Sequence, residues 1–425
     1  MRIGWRTLER PCRWRVPSQV VVADEFPFDV TLDQLRQRTS MKWCAADPDV
    51  LPLWVAEMDV MPATPVVEAV ERALRRGDTG YACGFECAEA FAAFAAERWQ
   101  VNCFDVSRST LVADVMTGVG ELLKVVTGPG DPVIVTPPVY PPFYAFAEHL
   151  GRRAVEVPLA QDGRLDLSAL IDAFARYGAR GRAAFLLCNP HNPTGTVHSA
   201  PELASVAAAA DETGVRVISD EVHAPLVLSG AGFTSYLAVP GSERGLVLTS
   251  ASKAWNLPGL KAAVAFAGSD AASDLERLPE VVSHGPSHVG VLAHTAALRH
   301  GQPWLDVVLG GLRRNRDLLG DLLRAHLPSV RWVPGDSTYL GWLDFTDLPT
   351  VLGPDEPSPS LGDVSARAGA AAWFLEHARV LLSSGPAFGA GGDRCARINF
   401  ATSASVLSRA VEQMGTAVAS PPIAS

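Results

Sequence analysis

Lysine occurs four times in the 425 residues, at Lys42, Lys124, Lys253 and Lys261, although arginine is plentiful. Two of the four stand in one short segment, Thr249-Ser-Ala-Ser-Lys253-Ala-Trp-Asn-Leu-Pro-Gly-Leu-Lys261. An amine that can lose its proton forms an imine with an aldehyde, which a guanidinium cannot do. The serine and threonine hydroxyls just upstream suit a phosphate. Lys253 is therefore read as the attachment point of pyridoxal phosphate. A solvated lysine in a strand-to-helix loop is the competing reading for that segment taken alone.

Two other segments carry compatible chemistry. Asp220 follows Val-Arg-Val-Ile-Ser and opens Asp-Glu-Val-His. A carboxylate there can keep a pyridine nitrogen protonated and make the ring an electron sink for a Cα carbanion; an isolated Asp-Glu is as often a helix cap. His223, three residues on, is placed to touch a phenolic oxygen, although a lone histidine is more often structural. Asn189-Pro190-His191-Asn192-Pro193-Thr194-Gly195 packs two Asn-Pro pairs and a glycine into a rigid, non-helical turn. Such a turn could aim the Asn192 amide at the same oxygen.

These residues need elements to bring them together. Short apolar runs recur at 110–116, 131–136, 183–188, 215–219 and 245–249, each followed by a turn and an Ala/Leu-rich stretch. Strands so apolar are buried on both faces, which indicates a mainly parallel sheet covered by helices. Ligands of such sheets bind beyond the carboxyl ends of the strands. Gly118, Tyr140, Asn192, Asp220 and Lys253 each follow one of the five runs. Downstream, leucines near a 3.6 spacing predict a helix over 305–327, closed by Pro328. Residues 339–345, 380–383 and 396–400 read as strands of a smaller α/β unit, and the Pro/Gly/Asp/Ser-rich stretch 348–362 as a surface loop.

Composition narrows the class. Hydrophobic residues make up 48% and charged residues 19%, as in a globular enzyme of two or three domains. A formal net charge of -10 argues against a nucleic-acid partner. No run approaches the ~18 apolar residues of a membrane span. The basic first residues lack the apolar core of a signal peptide, so residues 1–27 read as an amino-terminal arm of a cytoplasmic protein. Seven scattered cysteines fit reduced thiols, with no metal site, and Cys188 reads as a small buried hydrophobe.

The ordered set Asn-Pro-His-Asn-Pro-Thr-Gly, Ser-Asp-Glu-Val-His and Ser-Lys-x-x-Asn-Leu-x-Gly-Leu resembles the fold-type I, aspartate-aminotransferase-like enzymes that use pyridoxal phosphate. Within them it resembles the cystathionine β-lyase/cysteine-S-conjugate lyase branch. Leu51-Pro-Leu-Trp-Val-Ala-Glu-Met-Asp59, Gly80-Tyr81, Pro138-Val-Tyr140, Tyr339-Leu and Arg397-Ile-Asn-Phe-Ala-Thr402 also look like that branch. The match runs in order from about residue 28 to 415. Glu57 stands where the branch commonly has Asp, and Lys261 where aminotransferases commonly have a phosphate-binding arginine.

The resemblance implies an α/β fold: a large domain with a mainly parallel seven-stranded sheet between helices, over 76–304, and a smaller α/β domain from 28–75 and 305–425. It implies that Lys253 is both the Schiff-base lysine and the acid/base, that Asp220 pairs with the pyridine nitrogen and Asn192 with the phenolate, and that Tyr140 stacks on the ring. Gly118-Val119-Gly120 would present backbone N–H groups to the phosphate at a helix start, with Ser250, Ser252 and Lys261 adding to the cup. Tyr81 would reach the phosphate of a second subunit, which implies a homodimer with shared sites. Arg397 would fork onto the substrate α-carboxylate, with Trp54 and Tyr339 beside it. The implied reaction is α,β-elimination from cystathionine or another L-cysteine S-conjugate. An aminotransferase, or a biosynthetic enzyme that decarboxylates or oxidatively deaminates an S-substituted cysteine, would use the same residues.

Overall fold

Apolar runs and turns of this kind resolve into a sheet in the computed structural model, which describes residues 27–178, 182–228, 230, 232–352 and 368–420. Its strands are β1 Ser109–Val112, β2 Pro132–Val135, β3 Arg153–Glu156, β4 Ala184–Cys188, β5 Arg216–Asp220, β6 Leu246–Thr249 and β7 Ala263–Ala267. They lie in the order β1-β7-β6-β5-β4-β2-β3. The pairs from β6 to β3 are all parallel, and β7 runs antiparallel to both its neighbours. The expected fold class, a mainly parallel seven-stranded sheet between helices, is the one observed.

Alternation along the central strands explains why both faces are covered. Ala184, Leu186 and Cys188 of β4 pack with Leu246 and Leu248 against the helices Val115–Val126 and Pro142–His149. Phe185 and Leu187 pack on the opposite face with Val217, Val247 and Phe266. The strand register then sets Cys188 beside Asp220 and Asp220 beside Leu248, so the carboxyl ends of β4, β5 and β6 are level.

Three sequence expectations need correcting here. The run 110–116 is not one strand: β1 stops at Val112, and Asp114 accepts from the Thr117 N–H to cap a helix that starts at Val115. Its first turn is as apolar as the strand because it is buried too. Strands β3 and β7 were not among the expected runs. The first lies at the sheet edge with Arg153 and Glu156 exposed and Val155 alone buried, and the second is alanine-rich. The loop expected at 348–362 opens with a short helix, Pro349–Leu352; residues 353–362 lie outside the described residues, as do residues 1–26 of the arm.

The helix expected over 305–327 spans Gln302–His326 and buries Leu305, Val308, Leu309, Leu312, Leu319 and Leu323. Three strands, β8 Leu340–Asp344, β9 Ser383–Ser384 and β10 Cys395–Asn399, form a second, antiparallel sheet in the order β9-β10-β8. The amino-terminal segment is sewn onto it. Leu51–Pro52 pairs in parallel with Val380–Leu381, the Asn399 N–H donates to the Leu53 carbonyl at 2.8 Å, and the Asp59 N–H donates to the Ala401 carbonyl at 2.9 Å. Among the described residues six cysteines are free thiols, with Cys188 buried, and no helix is long and apolar enough to cross a membrane.

Candidate active site

The residues at the strand ends converge. Lys253 sits four residues past β6, and its Nζ donates to the Ala56 carbonyl at 3.2 Å. The Tyr339 hydroxyl donates to that same oxygen at 3.0 Å, and the ring of Tyr339, fully buried, meets His223 edge-on at 6.2 Å. Arg397 of β10 is buried. Its Nη1 donates to Asn192 Oδ1 at 3.0 Å and its Nη2 to the Trp54 carbonyl at 3.0 Å and Ser383 Oγ at 3.2 Å. Phe388 lies under the guanidinium, 5.1 Å from its ring centre. Asp220, at the end of β5, accepts from the Val222 N–H at 3.1 Å. Tyr140 is partly buried and packs edge-on against Phe143.

Charge in this interior is perturbed in one consistent way. Loss of hydration, with the Arg397 guanidinium adding to it, brings the Lys253 amine down to about 8, while Asp220 and Glu57 pull the other way. Loss of hydration also pushes Asp220 up to about 6, opposed by the Val222 N–H and Lys253. His223 is lowered to about 3 by burial, then by Lys253 and Arg397, so the imidazole is neutral. Burial lowers Arg397 to about 10, and raises the Tyr140 hydroxyl above its ordinary value, Asp220 adding to the rise.

Three places in the site leave a charged or polar group unsatisfied. Arg397 has no carboxylate in ion-pairing distance among the described residues, and its buried Nε bonds nothing. A buried cation without an anion is costly, so the site is built for a ligand that brings one. His223 Nδ1 is buried and unbonded. At the start of the helix Val115–Val126, the N–H groups of Val115 and Met116 precede the first bonded ones, at Thr117 and Gly118, and find no acceptor among the described residues. They suit a phosphate.

That last point corrects a sequence expectation. Gly118 already donates within the helix, to the Asp114 carbonyl at 2.9 Å, and Val119 and Gly120 lie further inside it. Their N–H groups are not free for a phosphate. The glycines serve packing: a Cβ on Gly118 would stand 2.5 Å from Leu248 Cδ2, and one on Gly120 would press on Phe146 at 3.1 Å.

The other expected residues divide. The Ser250 hydroxyl donates to the Ala262 carbonyl at 2.7 Å, which commits its proton, whereas the Ser252 hydroxyl makes no hydrogen bond among the described residues. Lys261 pairs with Asp114 at 3.0 Å beside the helix start. Burial works against the Asp114 carboxylate, but the Thr117 N–H and Lys261 together hold it below its usual range. Trp54 meets Arg397 through its carbonyl rather than its ring. Tyr81 is 81% exposed, away from these contacts, and its ring leans on His284 at 5.7 Å.

A model of the family aminotransferase class I and II matches residues 48–414. The chain belongs to that family. Within it, the chain is 57% identical to a Mycobacterium leprae protein provisionally named a cystathionine beta-lyase, over 92% of this chain and 97% of that protein. It is 33% identical to the cystathionine beta-lyase of Corynebacterium glutamicum, over 91% and 98% of the two chains. The crystal structure of a Corynebacterium diphtheriae protein, provisionally described as a PLP-dependent beta-cystathionase, superposes with a TM-score of 0.81 at 32% identity. It covers 93% of this chain and 99% of that one.

In this family member the sequence reading missed the groups that hold residues 54–58. Asn399 Nδ2 donates to the Val55 and Glu57 carbonyls, both at 2.7 Å. Asn256 brackets Met58, accepting from its N–H at 2.7 Å and donating to its carbonyl at 2.8 Å. Lys42 Nζ, fully buried, bonds Asp59 at 2.7 Å and the Glu57 carbonyl at 3.2 Å. Asn399 could have been found, because it lies two residues after Arg397 and a strand turns such pairs to one face. The carbonyls themselves belong to no residue type and leave no trace in a sequence.

Proposed function

We propose that the protein is a pyridoxal-phosphate-dependent carbon–sulfur β-lyase acting on cystathionine or related L-cysteine S-conjugates. The observation that carries the reading is the pairing of a desolvated lysine amine, Lys253, with a buried and anion-less guanidinium, Arg397. One suits an aldehyde cofactor and the other an amino-acid carboxylate. The names borne by the relatives, at 57% and 33% identity, favour β-elimination within the family.

The residues present fit the cofactor. Lys253 would hold its aldehyde carbon, Asp220 its ring nitrogen, Asn192 and His223 its phenolic oxygen, and Tyr140 a face of its ring. The Val115 and Met116 N–H groups, Ser252 and Lys261 would hold its phosphate. When bound, pyridoxal phosphate supplies the electron sink for a carbanion at Cα. Arg397 anchors the substrate α-carboxylate, helped by Asn192, which orients the guanidinium through its Oδ1. Once the substrate amine has taken its place, the freed Lys253 Nζ would take the Cα proton; the Cβ–S bond then breaks with its electron pair on sulfur, and the thiolate picks up a proton as it leaves. The three-carbon enamine that remains takes up water to give pyruvate and ammonia.

We also assign residues 1–27 to an arm, 76–304 to a cofactor-binding domain, and 28–75 with 305–425 to the smaller one. The seven-stranded sheet falls wholly within 76–304 and the three-stranded sheet wholly beyond 305, which supports that division. A homodimer in the cytoplasm follows from the same reading, with the exposed Tyr81 ring reaching the second subunit. The test is to supply purified, cofactor-loaded protein with L-cystathionine. Pyruvate and homocysteine should form in equal amounts without any added keto acid. Amino transfer that requires a keto acid, with no pyruvate from cystathionine, would overturn the lyase reading in favour of an aminotransferase.

A further inference from the structure

Residues 54–58 form a strap that touches both ends of the site. The Trp54 carbonyl accepts from Arg397 Nη2 at 3.0 Å, and the Ala56 carbonyl, two residues on, accepts from Lys253 Nζ at 3.2 Å. Two residues span at most about 7 Å of chain, so guanidinium and amine are tied to one short length of backbone. That backbone bends. The Glu57 N–H donates to the Val55 carbonyl at 2.8 Å, which leaves Ala56 at the middle of a tight turn with its carbonyl on Lys253. Two asparagines hold the shape. Asn399, fully buried and two residues after Arg397 on β10, donates its Nδ2 to the Val55 and Glu57 carbonyls, both at 2.7 Å. Asn256, three residues after Lys253, accepts from the Met58 N–H at 2.7 Å and donates to the Met58 carbonyl at 2.8 Å. Its φ is 56°, a left-handed value that asparagine tolerates better than most side chains. Each clamp thus comes from the element that carries one of the two cations.

An amino acid whose carboxylate lies on Arg397 must also present its Cα hydrogen to Lys253 Nζ, and a single bond joins its carboxylate to Cα. The separation of guanidinium and amine therefore matters, and two long, many-rotamer side chains do not fix it by themselves. We propose that residues 54–58 are a spacer that sets the distance from the carboxylate anchor Arg397 to the base Lys253, with Asn256 and Asn399 as the positioning residues that hold it in shape. This rests on the proposed roles of those two cations. When the spacer loosens, the carboxylate still finds Arg397, but the Cα hydrogen no longer stands at the amine. Proton removal then suffers more than binding.

The test follows L-alanine, which has nothing to expel from Cβ, with cofactor-loaded protein in deuterium oxide. Proton NMR reads the replacement of its Cα hydrogen by deuterium, as a rate per bound cofactor, and the cofactor spectrum on mixing gives its dissociation constant. Asn256→Gly keeps the left-handed backbone and removes both bonds to Met58. It should slow the exchange by about tenfold to a hundredfold, the effect of misplacing a reacting group by about 1 Å, while the dissociation constant stays within about threefold. Asn256→Asp, which keeps the acceptor for the Met58 N–H, should fall between. Asn399→Ser should act in the same direction, and the double variant should lose less than the product of the two effects, since both release one strap. Exchange that is unchanged in Asn256→Gly, or that falls only in step with affinity, overturns the proposal. Wild-type protein that binds alanine and exchanges none would overturn it together with the role of Lys253 as the base. Exchange needs no carbon–sulfur bond, so failure of cystathionine to yield pyruvate while alanine exchanges as expected would count against the lyase reading alone.

Discussion

Lys253 should become reactive more than two pH units below an ordinary lysine. Burial and Arg397 bring its amine from 10.5 to about 8. Only the unprotonated amine attacks an aldehyde, so reactivity is low below that value and full above it. At pH 7 about one molecule in ten carries the reactive form, against about three in ten thousand at the unshifted value, a gain of roughly 300-fold. Stopped-flow mixing of apo-protein with pyridoxal phosphate across pH 6 to 10 reads this as the rate at which the imine absorbance grows. Two substitutions test the causes. Arg397→Gln removes a cation that disfavours the ammonium, and should move the midpoint up. Asp220→Asn removes an anion that favours it, and should move the midpoint down. A wild-type midpoint near 10, or shifts of the opposite sign in these variants, would refute the electrostatic reasoning.

Further outcomes follow from single contacts. Lys42→Met leaves the buried Asp59 carboxylate, among the described residues, with the Trp43 indole N–H at 2.8 Å and Arg38 at 4.0 Å, and should cost about 3 kcal/mol in urea unfolding; Lys42→Met with Asp59→Leu should recover part of it, and strictly additive losses would contradict a coupled pair. Lys261→Ala should weaken pyridoxal phosphate binding to apo-protein by about 1 kcal/mol, since the half-exposed amine is screened by water, and Lys261→Arg should restore it. An unchanged dissociation constant would return Lys261 to the surface as a partner of Asp114 alone. Mixing the inactive variants Tyr81→Ala and Lys253→Ala should restore activity through hybrid dimers; no recovery despite measured subunit exchange would mean that each site is built within one chain.

The polar residues of the site were legible where they punctuate apolar runs. Asp220 and Lys253 stand out because β5 and β6 are so apolar before them, and Asn192 because two prolines and a glycine leave its turn few conformations. Gly195 illustrates the constraint: its φ is 73°, and a Cβ there would lie 2.7 Å from the Ser337 carbonyl oxygen. Backbone chemistry was not legible. The glycines near residue 118 drew attention as a phosphate cup, while the unbonded N–H groups belong to Val115 and Met116, whose side chains give no hint of it. The same holds for the clamp on residues 54–58, where the acceptors are carbonyls and the donors come from points more than 300 residues apart. Edge strand β3 was hidden because exposed Arg153 and Glu156 bound it and leave no apolar run, and β7 because a string of alanines suits a helix as well.

Borohydride reduction of the purified, cofactor-loaded protein, followed by mass mapping of its peptides, reaches the centre of the site most directly. The reduced pyridoxyl group should appear on Lys253 and on none of the other three lysines, and Lys253→Ala should carry no reducible imine. A pyridoxyl group on Lys42, Lys124 or Lys261 of the wild-type protein, or a reducible imine that survives in Lys253→Ala, would contradict the assignment.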